Sequence, residues 1–133
     1  MNNTLQKPTQ AFIISAWVAL AIGAIAYLAG LWNAHIEWSL KGYFFALLML
    51  GLYGAISLQK NVRDRLEGIR VTAMYYILSW VATLLAIALL IIGLWYVSLL
   101  PSEKGFYLIS FTLSIFSVTV IQKNTRDLAS FSN

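Results

Sequence analysis

The amino-acid sequence predicts an all-α integral membrane protein, with four transmembrane helices arranged as two parallel-repeat helical hairpins. Two observations carry that expectation. Hydrophobic residues make up 60 % of the 133-residue chain and charged residues 11 %, against roughly 45–50 % and about a quarter in soluble domains. So few charges rule out the polar shell of a soluble globule, a coiled coil and a disordered chain. The charges are also segregated. Charge-free runs cover 8–34, 42–59, 71–102 and 105–122. At about 1.5 Å per helical residue, even the shortest runs reach ~27 Å, close to the hydrocarbon thickness of a bilayer. Continuous apolar runs, instead of alternation in ~10-residue segments, exclude a β-barrel.

Each element follows from this punctuation. The first helix is expected at 11–34; its apolar stretch exceeds the roughly 7–15 residues of a signal-peptide core, so it reads as a retained span. A second helix is expected at 40–59, a third at 74–98 and a fourth at 103–122. The turns 35–39 and 99–102 each end in a serine, Ser39 and Ser102, placed to N-cap the following helix. The middle connection, 60–72, is longer and charged, with Glu67-Gly68 marking a turn. The expected layout is an N-terminal segment 1–10, a first repeat 11–64, a linker 65–73, a second repeat 74–127 and a tail 128–133.

Sliding the sequence along itself exposes the repeat, at an offset of 63 with no gap. Trp17-Val18-Ala19 falls on Trp80-Val81-Ala82, Gly30-Leu31-Trp32 on Gly93-Leu94-Trp95, and Lys41-Gly42 on Lys104-Gly105. Gln59-Lys60-Asn61-Val62-Arg63-Asp64 falls on Gln122-Lys123-Asn124-Thr125-Arg126-Asp127. Apolar composition alone would align Leu, Ile and Ala, so these polar and aromatic matches mark duplication. Orientation follows from the bases. Lys7, Lys60, Arg63, Arg65, Arg70, Lys123 and Arg126 lie on one side, and Lys41 and Lys104 on the other. The positive-inside rule puts both termini and the central linker in the cytoplasm.

The doubled pattern resembles the YiaA/YiaB two-helix domain family, from about Phe12 to Asp127. It is carried by Gly-Leu-Trp-Asn-Ala at 30–34, Lys-Gly-Tyr-Phe at 41–44, Gln-Lys-Asn-Val-Arg-Asp at 59–64 and Glu-Gly-Ile at 67–69, with the second copies at 104–107 and 122–127. The resemblance implies a bacterial inner-membrane location and paired helices with a linking section. It brings no catalytic residues with it. Trp-Tyr-Val at 95–97 departs from Trp-Asn-Ala of the first unit.

The strongest candidate site is the doubled exit motif: Gln59, Lys60, Asn61, Arg63 and Asp64 with Gln122, Lys123, Asn124, Arg126 and Asp127. On a helix Gln59 meets Arg63 and Lys60 meets Asp64 at i,i+4, and the second copy repeats both pairs. One reading is a helix end whose bases complement the dipole and meet lipid phosphates. The other is a site for an anionic head group or partner, with Asp64 and Asp127 orienting the bases and Asn61 and Asn124 offering neutral hydrogen bonds. A generic anchor requires neither the aspartate nor the asparagine.

Other features read as structure. Lys41 and Lys104 snorkel to the outer interface, their neighbouring glycines allowing close approach to the 30–32 end. Trp32, Trp38 and Trp95 form an outer aromatic belt, and Trp17 with Trp80 symmetric packing positions. His35 beside Glu37 is a poor metal site. No cysteine is present, and no catalytic set, metal or cofactor is expected. The spans carry no Asp, Glu, Lys, Arg or His of the kind that coupled transporters use. They carry small residues at contact spacing instead: Ser15, Ala19 and Gly23; Gly51 and Ala55; Ser110, Ser114 and Ser117. The expected function is a non-enzymatic structural or accessory role, binding membrane-protein partners or anionic phospholipid through the cytoplasmic face. A homo-oligomer fits, and nucleic acid does not. The rival is a small oligomeric transporter or channel, lined by the Ser/Thr face of the fourth helix.

Overall fold

The structure, a computed structural model, describes residues 7–131 as four α-helices: α1 Gln10–Asn33, α2 Trp38–Leu66, α3 Ala73–Tyr96 and α4 Pro101–Phe131. Each is long and apolar enough to cross a membrane. Residues 1–6 and 132–133, parts of the expected N-terminal segment and tail, lie outside the described residues.

The helix starts show the repeat again. Thr9 Oγ1 accepts the Phe12 N–H at 3.2 Å and Thr72 Oγ1 accepts the Tyr75 N–H at 3.3 Å, an N-cap at the same place in both units. The second helix of each unit starts differently from expectation. Ser39 and Ser102 lie inside α2 and α4; Glu37 is the N-cap of α2, and α4 opens on Pro101. Proline suits a first helical position because its missing N–H would have had no partner there. Glu103 then folds back to accept the Leu100 N–H at 2.9 Å.

Both second helices run further than expected. At 29 and 31 residues they span about 44 and 46 Å, well beyond the ~30 Å of hydrocarbon. The motif read as an exit is thus helix that stands clear of the apolar layer. Lys60–Asp64 and Lys123–Asp127 pairs hold those turns, and Arg63 and Arg65 sit in the last turn of α2, where the dipole favours cations. α2 stops at Glu67-Gly68. Gly68 has φ +78, the Ile69 N–H reaches Asp64 O at 2.7 Å and the Gly68 N–H reaches Arg65 O at 3.2 Å. This is the left-handed glycine stop that a side chain would strain.

Packing crosses between the repeats. α2 and α4 meet at the centre, α1 lies along α4, and α3 lies along α2; partners within one hairpin touch only briefly. The hairpin is therefore a unit of sequence, and each first helix is buried by the other unit. Two crossings bring backbones together. A Cβ on Gly23 would lie 2.7 Å from Ser114 Oγ and 3.0 Å from the Ser114 nitrogen; one on Gly54 would lie 2.9 Å from the Thr83 nitrogen. Gly42 and Gly105, expected to allow close approach, have nothing near them. The tight contacts are instead Gly30 against Phe106 and Gly93 against Tyr43, each on the opposite unit.

The core between these crossings is aromatic. Phe44 of α2 and Tyr107 of α4 stack at 6.3 Å, and Tyr27 of α1 meets Tyr107 edge-on at 5.6 Å. The fully buried Tyr27 hydroxyl donates to Phe44 O at 2.8 Å, and Tyr43 donates to Leu89 O at 2.6 Å. Buried phenols need such partners. Ser110 and Ser114 are buried, and their hydroxyls donate to Phe106 O and Ser110 O of their own helix. Trp17 and Trp80, expected to pack symmetrically, are 56 % and 41 % exposed and face outward.

Candidate functional site

The charged ends of α2 and α4 come together at one end of the bundle. Asp64 on α2 and Asp127 on α4 both lie where the two helices meet, while Asn61, one turn earlier, turns to α3. The ion pairs then form twice, with the two units exchanged. Arg63 Nη2 donates to Asp127 Oδ1 and Arg126 Nη2 donates to Asp64 Oδ1, both at 2.9 Å. Lys60 Nζ meets Asp64 Oδ2 at 2.8 Å and Lys123 Nζ meets Asp127 Oδ2 at 2.7 Å. Each carboxylate thus binds one lysine from its own helix and one arginine from the other. Arg126 also donates to Glu67 Oε1 at 2.8 Å, and Glu67 Oε2 lies 3.8 Å from Arg63.

Exposure separates these groups. Asp64 is 7 % exposed and Asp127 14 %, while Lys60 and Lys123 are 51 % and 54 % exposed. The aspartates are interior partners and the lysines face outward. This answers why a membrane anchor keeps an aspartate: it is the residue through which one repeat holds the arginine of the other. Gln59 and Gln122 are half-buried one turn closer to the membrane. The arginines reach across to carboxylates instead of back to these glutamines.

Asn61 and Asn124 are buried, a turn before the aspartates, and so are not offered to a ligand at the surface. Asn61 Nδ2 donates to Ser79 Oγ on α3 at 3.0 Å. For Asn124, neither amide atom has a hydrogen-bond partner, and Asn61 Oδ1 lacks one too.

The chain matches the family described as yiaA/B two helix domain twice, over residues 12–64 and 75–127. It belongs to that family. Both matches end on the aspartate of the cluster, Asp64 and Asp127, so the reciprocal ion pairs join one YiaA/B domain to the other. Inner membrane protein YiaA of Escherichia coli (strain K12) is 48 % identical over 96 % of this chain and 88 % of its own length. Uncharacterized membrane protein YubF of Bacillus subtilis (strain 168) is 35 % identical over 50 % of this chain and 78 % of its own length. No solved structure matches with significance.

The two YiaA/B domains explain the unpartnered asparagine. Ser79, which serves Asn61, aligns at the repeat offset with Ala16, which is also buried. The domain that buries Asn124 carries a methyl group where the other carries a hydroxyl. Ala16→Ser is therefore expected to stabilise the protein by roughly 1 kcal/mol, the net worth of one hydrogen bond. The midpoint of thermal unfolding in detergent reads this directly; an unchanged or lowered midpoint contradicts it.

At the opposite end, Lys41 Nζ donates to Trp32 O at 2.8 Å and lies 4.6 Å from the Trp38 ring. A lysine in a first turn, unfavourable to its own helix, closes the C-terminus of α1 instead. His35 and Glu37 line an open cleft of about 1070 Å³ with Tyr43, Tyr96 and Ser98. Among the described residues, no three His, Cys, Asp or Glu side chains are grouped to hold a metal. Sequence reasoning missed Glu67, Ser79 and the stacking of Arg65 over Tyr76 at 4.4 Å. None of the three has a counterpart in the other unit, so the repeat gave no signal for them.

Proposed function

We propose that this chain is a non-enzymatic inner-membrane protein with a structural or accessory role, both termini cytoplasmic, whose charged end binds anionic lipid. One observation carries this reading. Seven bases and three acids lie at that end, against two of each at the other, so the whole net charge of +4 belongs to one face. The carboxylates turn inward to the arginines and the lysines stay exposed, which leaves a positive rim at the depth of lipid phosphates. Such a rim gains roughly 1 kcal/mol per basic residue from an anionic leaflet. A membrane-protein partner on the same face is the companion reading, and it requires an acidic surface to match.

The rival, a small transporter or channel, needs a polar path. The buried serine hydroxyls are bonded to their own helix, and Ser114 is closed over by Gly23. That supports dry interfaces. The test compares binding to phosphatidylglycerol and phosphatidylcholine for the wild type and for Lys60→Gln with Lys123→Gln. The pair is expected to lose about 2 kcal/mol of anionic preference, and salt to weaken what remains. Equal binding by both proteins would remove the reading, and a reporter after Gly68 that reads periplasmic would remove the orientation.

A further inference from the structure

The two repeats leave different surfaces to lipid. α3 and α4 touch only briefly, and between them runs an apolar groove of about 260 Å³, lined by Ile87, Leu90, Phe111, Ile115, Phe116 and Thr119 among others. In the first unit, the position of Leu90 is taken by Tyr27, whose ring and hydroxyl bridge α1 to α4 and α2. Leu90, also buried, has no hydroxyl to make such a bond.

The two aspartates are also paired unequally. Asp64 and Glu67 together meet Lys60 and Arg126, whereas Asp127 alone meets Lys123 and Arg63 at under 3 Å. Ser130 stands where the repeat would place a second Glu67. Lys123 stays 54 % exposed beside its one carboxylate. Phe116, Thr119 and Lys123 follow one stripe of α4 at i, i+3 and i+7. The groove thus leads toward an exposed lysine, starting about 6 Å from it and ending about 22 Å away at Leu108. That is the reach of one acyl chain within one leaflet, since a leaflet is about half of a ~30 Å core.

We propose that this groove seats one anionic phospholipid of the cytoplasmic leaflet, with an acyl chain between α3 and α4 and its phosphate at Lys123. The inference rests on the lipid-binding reading above and adds a single place for the lipid. Thr112 and Thr119 do not make the groove polar, because their hydroxyls donate to Leu108 O and Ile115 O of their own helix. The walls are left apolar, as a hydrocarbon tail requires.

The full chain, reconstituted in vesicles, is labelled with phosphatidylglycerol or phosphatidylcholine carrying a photoreactive group on the acyl chain, and the adducts are mapped. Phosphatidylglycerol is expected to label the 108–119 stretch above the other lipid-facing positions. Lys123→Gln should reduce that labelling about fivefold, the worth of one basic group near the surface. Ile87→Trp, at a half-exposed wall position, should fill the groove and abolish the local labelling while leaving the general preference for anionic vesicles intact. Uniform labelling of all four helices, or unchanged labelling in Ile87→Trp, overturns the site while the lipid-binding reading stands. No anionic preference in the wild type removes both.

Discussion

Replacing Asp64 by Ala is expected to destabilise the protein by about 3 kcal/mol, the low end of the cost of breaking a buried ion pair. Its carboxylate is nearly inaccessible and takes hydrogen bonds from Lys60 and Arg126. Removing it leaves a guanidinium in the α2–α4 contact with only the half-exposed Glu67 to meet. Asp127→Ala should cost less, because Asp127 is twice as exposed as Asp64 and the penalty for breaking an ion pair grows with its burial. The inequality is the informative part. Two copies of one motif, alike except for Val62 and Thr125, should differ in cost because their aspartates are not equally buried. Chemical unfolding in mixed micelles measures both variants; equal losses would contradict it.

Gly23→Leu should also be costly, at about 3 kcal/mol or more, because α1 and α4 can relieve it only by separating. Added atoms would meet the Ser114 backbone nitrogen and Ser110 O, not the tip of a flexible side chain. Insertion should be normal, since the span becomes more apolar. The expected result is full membrane insertion with early unfolding in detergent. Wild-type stability would mean that this face of α1 looks at lipid.

The spans and turns were legible because charged residues punctuate apolar runs, and a bilayer permits little else. Helix ends were not. Lys60 to Asp64 reads as the end of a span, yet i,i+4 pairs keep it helical, and hydropathy does not see such pairs. Duplication showed which residues correspond but not which pack together, so the crossed pairing of α1 with α4 and α2 with α3 was hidden. The same gap limited the site. Asp64 was expected to meet Lys60 at i,i+4, and it does; that it also holds Arg126 of the other repeat depends on crossed packing. The sequence aligns Ala16 with Ser79 but does not show that Ser79 serves Asn61, so the bare amide of Asn124 was hidden.

The doubled motif joins the two repeats through reciprocal arginine–aspartate pairs. A double-mutant cycle on Arg63→Gln and Asp127→Asn tests it most directly, with unfolding free energies of both single variants, the double variant and the wild type. These residues belong to different repeats and touch at 2.9 Å. A coupling of about 1–2 kcal/mol is predicted, within the range for contacting charged partners. Strict additivity would mean that Arg63 and Asp127 contribute nothing to joining the two repeats, and would overturn this role.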